Sequence, residues 1–464
     1  MIVARASTPE TRAPFLLRRA LPGLLLVVVS AALLAPAAAG AVPLQLPDGW
    51  TFTASGLRQL PDTADTRAFC KGPGGSVYEV ALGTKITGNA VMARIRISDG
   101  KVIRSWAYPA VAGAAGYIPR AAACDSKGDL VVAMETMTAT GDWRVVKFTR
   151  TGAVVWQRGY DSGDGQDTPY GMTIDHHDAV IVVGTSEAPD GYDSAIVKWS
   201  ASGKFRWKQV VGSPGLDLIG AVAVDKADNV YVAGELAPGG APFDRGTVRS
   251  YWPSGHVRWT VNVSDPQLPV SFKSIVVRGS GVYVAGGTGG SDPRLVAAKY
   301  TTAGKSAWGG LKTCAYVRGA WSQDLAVDGT GSAVVVGYAY SAGGAGEYLG
   351  TVWKLRPGGG TAWHREFSNP AWPHDGEFDA VGVDSKGRIY AAGGVQVTSS
   401  TGNLLIVRYS PGGNAQALWR SHGQQSGYCV FSDVLVLNDT TVLAAGQVAG
   451  VLANAGVYRA RTTR

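Results

Sequence analysis

Two short stretches of the 464-residue chain gather the side-chain types that chemistry needs. Residues 160–167 place Tyr160 beside the carboxylates of Asp161, Asp164 and Asp167 on a glycine-rich segment. Oxygen-rich clusters of this kind suit Ca²⁺, although the spacing is not that of an EF-hand loop. Residues 369–379 combine Trp372, His374, Asp375, Glu377 and Asp379. One aromatic plate, one imidazole and three carboxylates can stack a sugar ring and bond its hydroxyls, or supply an acid and a base for hydrolysis or elimination. Tyr160, Asp161, Asp164, Asp167, Trp372 and Asp379 are therefore the expected binding residues. His374, Asp375 and Glu377 are the catalytic candidates, and the three aspartates of the first stretch are the candidate Ca²⁺ ligands.

The remaining residues exclude more than they offer. The pair His176-His177 falls in a tight turn, and neighbours on a strand point apart, so no metal pair is expected there. No Gly-x-Ser-x-Gly elbow, zinc signature or phosphate loop follows the N-terminal segment. The four cysteines, Cys70, Cys124, Cys314 and Cys429, include no Cys-x-x-Cys pair. Cys70 and Cys124 fall near the ends of neighbouring innermost strands but on alternate pleat faces, which argues against their pairing. Lys147, Lys198, Lys299 and Lys354 recur at one repeat position, so their stems are expected along strand surfaces with the ammonium hydrated or paired.

These groups must be positioned by elements outside residues 1–41, which read as an export signal. Arg5, Arg12, Arg18 and Arg19 precede or enter a short apolar core over 21–34, and small residues lead to a cleavage site after Ala41. The alternative is an uncleaved anchor. The leader carries four arginines and one glutamate, so the formal charge of +8 falls by three on cleavage. Without a Lys/Arg run, this is no nucleic-acid footprint. No second apolar stretch reaches spanning length, so a secreted or periplasmic protein is expected, a monomer with residues 42–464 as one domain.

A repeat near fifty residues decides the architecture. Tryptophans recur at 50, 106, 156, 207, 259, 308, 363 and 419, and Gly152, Gly203, Gly255, Gly304 and Gly359 stand four residues before five of them. A cation precedes Trp by nine residues at Lys147, Lys198, Lys299 and Lys354, whereas Ser250 breaks that rule. A second register spaces Asp and Gly by nine: Asp175/Gly184, Asp225/Gly234, Asp328/Gly337 and Asp384/Gly393. One unit reads as strands a (221–224), b (230–233), c (247–251) and d (257–263), joined by Gly/Asp/Asn/Ser turns. The last unit supplies a, b and c but no d, while an orphan d strand surrounds Trp50. Pairing these two ends gives an eight-bladed β-propeller of four-stranded antiparallel blades, closed by its N-terminal outer strand and without an open edge. Seven blades plus a stray hairpin is the alternative.

The run from Tyr231-Val-Ala-Gly to Gly255-x-x-x-Trp259 resembles the PQQ-like propeller repeat, whose Gly-x-x-x-Trp locks neighbouring blades. The phrase Val383-Asp-Ser-Lys-Gly-Arg-Ile-Tyr-Ala-Ala-Gly393 resembles the SBBP-type repeats of bacterial secreted proteins. The first resemblance implies either a quinone-dependent dehydrogenase or a non-catalytic scaffold; the second implies no particular activity. The vicinal cysteine pair of quinoprotein dehydrogenases is missing. In a propeller the d-to-a and b-to-c connections share one face, and here those are the long ones. The expected function is a non-catalytic exported propeller that binds a protein, glycan or cell-envelope partner through that face, with Ca²⁺ as the candidate ion. The alternative is a carbohydrate-active hydrolase or lyase, or a PQQ-dependent oxidoreductase.

Overall fold

The computed structural model describes residues 63–448 apart from segments 84–88, 100, 110–114, 238–244, 265–267, 316–318, 341–347, 368–375, 399–400, 421–424 and 427–428, together with strand backbones at 44–45, 51–60 and 454–463. It is an all-β propeller of four-stranded antiparallel blades. Seven blades are contiguous in sequence: blade 1 at 63–108, blade 2 at 117–160, blade 3 at 168–211, blade 4 at 218–263, blade 5 at 270–313, blade 6 at 320–367 and blade 7 at 376–420. In blade 4, a is Leu218–Val224, b is Val230–Leu236, c is Arg245–Tyr251 and d is Val257–Val263. An eighth sheet joins Cys429–Asn438, Thr441–Val448 and Asn454–Thr463 to the N-terminal strand Thr51–Leu60. That last pairing runs antiparallel from Thr51 opposite Thr463 to Leu60 opposite Ala455. Trp50 lies outside the described residues.

The core is divided among the spaces between consecutive sheets. The middle strands pack on both faces, as in Leu130–Thr136, buried throughout. Each such space holds one apolar cluster, for example Val334, Val336, Phe378 and Leu405 between blades 6 and 7. Val77, Ala93 and Ile95 of blade 1 meet Leu443 and Ala445 of the eighth sheet in the same way.

The repeated tryptophans lock one blade to the next. The Trp156 indole N–H donates to Ala201 O at 3.0 Å, Trp207 to Pro253 O at 2.9 Å, Trp259 to Thr302 O at 3.0 Å, Trp308 to Pro357 O at 2.8 Å and Trp363 to Pro411 O at 2.9 Å. The acceptor always belongs to the c-to-d turn of the following blade. The turn glycine lies flat on the same indole: a Cβ on Gly203 would stand 2.7 Å from Trp156, and Gly203 also has φ +76°. Only glycine meets both demands.

The second register is the other half of a buried ion pair. In blades 2, 3, 4, 6 and 7 an Asp opens the a-to-b turn and caps it, as Asp328 Oδ1 accepts from the Thr330 and Ser332 backbone N–H groups. Its second oxygen meets the cation of strand c: Lys147 to Asp125 at 2.6 Å, Lys198 to Asp175 at 2.7 Å and Lys354 to Asp328 at 3.0 Å. Where blade 4 has Ser250, Asp225 instead accepts from Tyr231 and Asn229 at 2.8 Å each. The ammonium groups are therefore paired, and Lys299 differs in lying 4.7 Å from the Tyr283 ring centroid.

The paired glycines of that register answer a feature that the spacing does not announce. Blades 2–7 each skip one residue of the innermost strand in the register with strand b: Arg120, Tyr170, Gly220, Lys273, Gln323 and Asp379. These are β-bulges. A Cβ on Gly184, Gly234, Gly337 or Gly393 would stand within 2.1 Å of the carbonyl of the second residue before the skipped one.

Cys70 and Cys124 form a disulfide between the innermost strands of blades 1 and 2, with Cα atoms 5.8 Å apart. This corrects the expectation that alternate pleat faces keep them apart. The forward face of one blade meets the backward face of the next, so opposite faces are what a bridge between blades requires. Cys314 and Cys429 are buried in other clusters. Ala39–Arg464 forms one compact unit. Among the described residues no helix is long and apolar enough to cross a membrane.

Candidate binding face

The two faces of the propeller are built differently. On one, every a-to-b and c-to-d connection is a tight turn closed by backbone hydrogen bonds, such as Asp384 N–H to Arg388 O and Ser410 N–H to Asn414 O. The other carries the d-to-a connections, the b-to-c connections and the bulged ends of the innermost strands; the b-to-c connections expected to be long are two-residue hairpins in blades 3 and 7, where strands b and c run further instead. The bulge residues Arg120, Tyr170, Lys273, Gln323 and Asp379 follow the start of their strands by two or three residues, so they lie toward this long-loop end.

The aspartate-rich loop joins blades 2 and 3. Tyr160, at its start, is core: 8 % exposed, with its ring 4.8 Å from Trp143 and its hydroxyl 2.7 Å from Ser186 Oγ. Tyr160 is thus withdrawn from the surface expected for it, because it ends an outer strand on the inward pleat. Asp167 is fully buried and organises the loop, accepting from Ser162 N–H at 2.6 Å and Glu187 N–H at 3.0 Å. Asp161 accepts from Gly163 N–H and is exposed, as is Asp164.

The carboxylates that converge are Asp142, Asp161 and Asp167, one oxygen of each lying within 4.8 Å of the others. Asp142, from the b-to-c connection of blade 2, takes the place expected for Asp164. Burial pushes the Asp142 and Asp167 carboxyls above the ordinary carboxylate range, and the neighbouring Asp161 charge adds to both. An oxygen-seeking cation is the chemical complement of such a set. Behind it, Arg120 is held by Glu135, which also accepts from Gln166 Nε2 at 2.9 Å.

Trp372, His374 and Asp375 of the second stretch lie outside the described residues. Glu377 is buried at the start of blade 7 and Asp379 is its half-buried bulge residue. The first stretch joins blades 2 and 3 and the second joins blades 6 and 7, with blades 3 to 6 between them along the chain. The described carboxylates of the two stretches therefore serve separate sectors of the rim and do not form one site.

His176 and His177 depart from expectation on the tight-turn face. As turn residues they escape strand alternation, and both Nδ1 atoms reach the Asp228 carboxylate of blade 4, His176 at 2.9 Å. Asp175, His177 and Asp228 also group within 4.8 Å. The Asp175 oxygens are committed to Lys198 and to the His177 and Ala179 N–H groups, so this trio fits a latch between blades better than a metal centre.

What the sequence missed at the long-loop face is an aromatic group on blade 6. Trp321 stacks on Tyr338 with centroids 5.3 Å apart, Tyr340 stacks on Tyr348 at 4.8 Å, and the two pairs meet edge to face. Their positions alternate by two along paired strands, a signal legible only once the strand ends are known.

No family model matches the sequence, and no curated protein matches it. Among solved structures, a europium-containing methanol dehydrogenase is similar at 13 % identity and a TM-score of 0.53, over 87 % of this chain and 93 % of that one. Sqt1 from Chaetomium thermophilum is similar at 10 % identity and the same TM-score, over 88 % and 99 %. A Bacteroides caccae protein of unknown function matches at 14 % identity with a TM-score of 0.34 over 62 % and 93 %. At these identities, what the first two likenesses share with this chain is the β-propeller fold.

Proposed function

We propose that the chain is a non-catalytic exported propeller that binds a cell-envelope or extracellular partner through its long-loop face. We further propose that the eighth sheet is a full blade, so that eight blades close through the N-terminal strand. The observation that carries the functional reading is the contrast between the ends of the blades. Turn-face positions repeat from blade to blade, while at the long-loop end no two of blades 2–7 carry the same set of three residues, blade 2 having Ile118, Glu135 and Met137. Thr168, Thr185 and Glu187 in blade 3 correspond to Leu218, Glu235 and Ala237 in blade 4, Ser271, Gly287 and Gly289 in blade 5, Trp321, Tyr338 and Tyr340 in blade 6, and Glu377, Gly394 and Gln396 in blade 7. Packing demands one solution in each repeat; recognition demands a different group in each sector. The Cys70–Cys124 bridge supports export to an oxidising compartment.

Sedimentation of the exported chain with insoluble cellulose, chitin and peptidoglycan tests the reading. Retention without release of soluble sugars is expected, with loss when long-loop positions are replaced. Release of soluble sugar by the purified chain, abolished by replacing Glu377, would overturn it in favour of a hydrolase or lyase.

A further inference from the structure

We propose that the aromatic group of blade 6 is a stacking platform for a neutral oligosaccharide; this rests on the binding function proposed above and names its ligand class. Trp321 and Tyr338 are cross-strand neighbours, as are Tyr340 and Tyr348, and Tyr338 and Tyr340 share a pleat face. Val334 and Val336, on that same face, pack with Phe378 of blade 7, and a Cβ on Gly350 would stand 3.0 Å from the Phe378 ring. All four rings therefore cap the seam between blades 6 and 7 at the long-loop end.

Packing alone does not call for them there. No other described blade from 2 to 7 has an aromatic side chain at the positions of Trp321, Tyr338 and Tyr340, so the repeat supplies its own control at those three. The group is graded in exposure: Tyr338 is buried, Trp321 and Tyr348 are half-buried, and Tyr340, beside Gly319, remains 44 % exposed. Two phenol hydroxyls, those of Tyr340 and Tyr348, stand 3.2 Å apart at the rim, and the Asp292–Arg294 ion pair lies beside Gly319.

That arrangement selects among ligands. A pyranose has an apolar C–H face and a hydroxyl rim, which match an aromatic group that carries phenol hydroxyls at its edge. A quaternary ammonium needs aromatic faces around a gap. Here the rings fill one another's faces at 4.8–5.3 Å within each stack, which leaves no gap between them for a cation.

Calorimetric titration of the exported chain with cellohexaose, xylohexaose, laminarihexaose and N-acetylchitohexaose, with tetramethylammonium as the cation probe, tests this. At least one hexasaccharide should bind, Tyr340→Ala should weaken it about tenfold or more (~1.4 kcal/mol), and Tyr340→Phe should keep most of the affinity. Tyr340 is exposed enough that its replacement should leave the melting midpoint nearly unchanged. Binding of no hexasaccharide, or of tetramethylammonium instead, would overturn the platform. Hexasaccharide binding unaltered by Tyr340→Ala would also overturn it while leaving the broader binding function standing. Conversion of a hexasaccharide to shorter sugars would overturn the non-catalytic function itself.

Discussion

At the tight-turn end of blade 6, Asp328 meets Lys354; at the other end of the same sheet, Trp321 and Tyr340 meet one another and the solvent. The first contact recurs in blades 2 and 3 with Asp125–Lys147 and Asp175–Lys198, each carboxylate facing an ammonium within 3.0 Å. The long-loop end leaves groups in tension. Burial raises the Asp142, Asp167, Asp193 and Asp217 carboxyls there. By contrast, although burial also opposes charge on Asp328, hydrogen bonds from Thr330 and Lys354 hold it below the ordinary range. One end uses its polar groups to hold blade to blade, while at the other end buried carboxylates such as Asp167 and Asp217 hold their own loops through Ser162 and Ser213.

Breaking the turn end should cost most. Lys354→Met leaves Asp328 buried without its cation, and a loss of about 3–5 kcal/mol in urea unfolding is expected; an unchanged midpoint would mean the pair is dispensable. Reducing the Cys70–Cys124 bridge should remove about 2–4 kcal/mol, read as a lower melting temperature in dithiothreitol. Trp207→Phe deletes the N–H that reaches Pro253 while keeping an aromatic ring, so a smaller loss of about 1 kcal/mol is expected.

At the long-loop end the sign should reverse. A carboxyl whose folded pKa is raised binds its proton more tightly folded than unfolded, so it costs stability as pH rises through that interval. Asp142→Asn should therefore raise the melting temperature at pH 7 and change it little at pH 3. Millimolar Ca²⁺ should stabilise the wild type more than this variant; equal shifts would remove the cation from the account.

Much of the turn end was legible in the sequence because its residues repeat. Gly-x-x-x-Trp, the lysine nine residues before it and the Asp/Gly spacing all mark real contacts. What periodicity cannot show is that the two registers join in one ion pair, or that Gly337 is small because the strand opposite it bulges, since both depend on how strands pair. The Cys70–Cys124 bridge runs against the rules of a single strand, and the meeting of His176 and His177 at Asp228 is invisible to them, because both depend on contact between neighbouring blades. The long-loop end was the less legible because it does not repeat: Asp161 and Asp167 were visible as an acidic run, but Asp142 reaches them from another connection. Trp321 and Tyr340 stand nineteen residues apart with no shared motif.

The most direct test of the division between the two ends is a paired binding measurement. Tyr340→Ala at the long-loop end and Lys386→Ala, an exposed replacement on the turn face, would be titrated side by side with whichever hexasaccharide the wild type binds. The account predicts at least a tenfold loss for the first (~1.4 kcal/mol) and wild-type affinity for the second. Loss of binding with Lys386→Ala and retention with Tyr340→Ala would place recognition on the opposite face and contradict it.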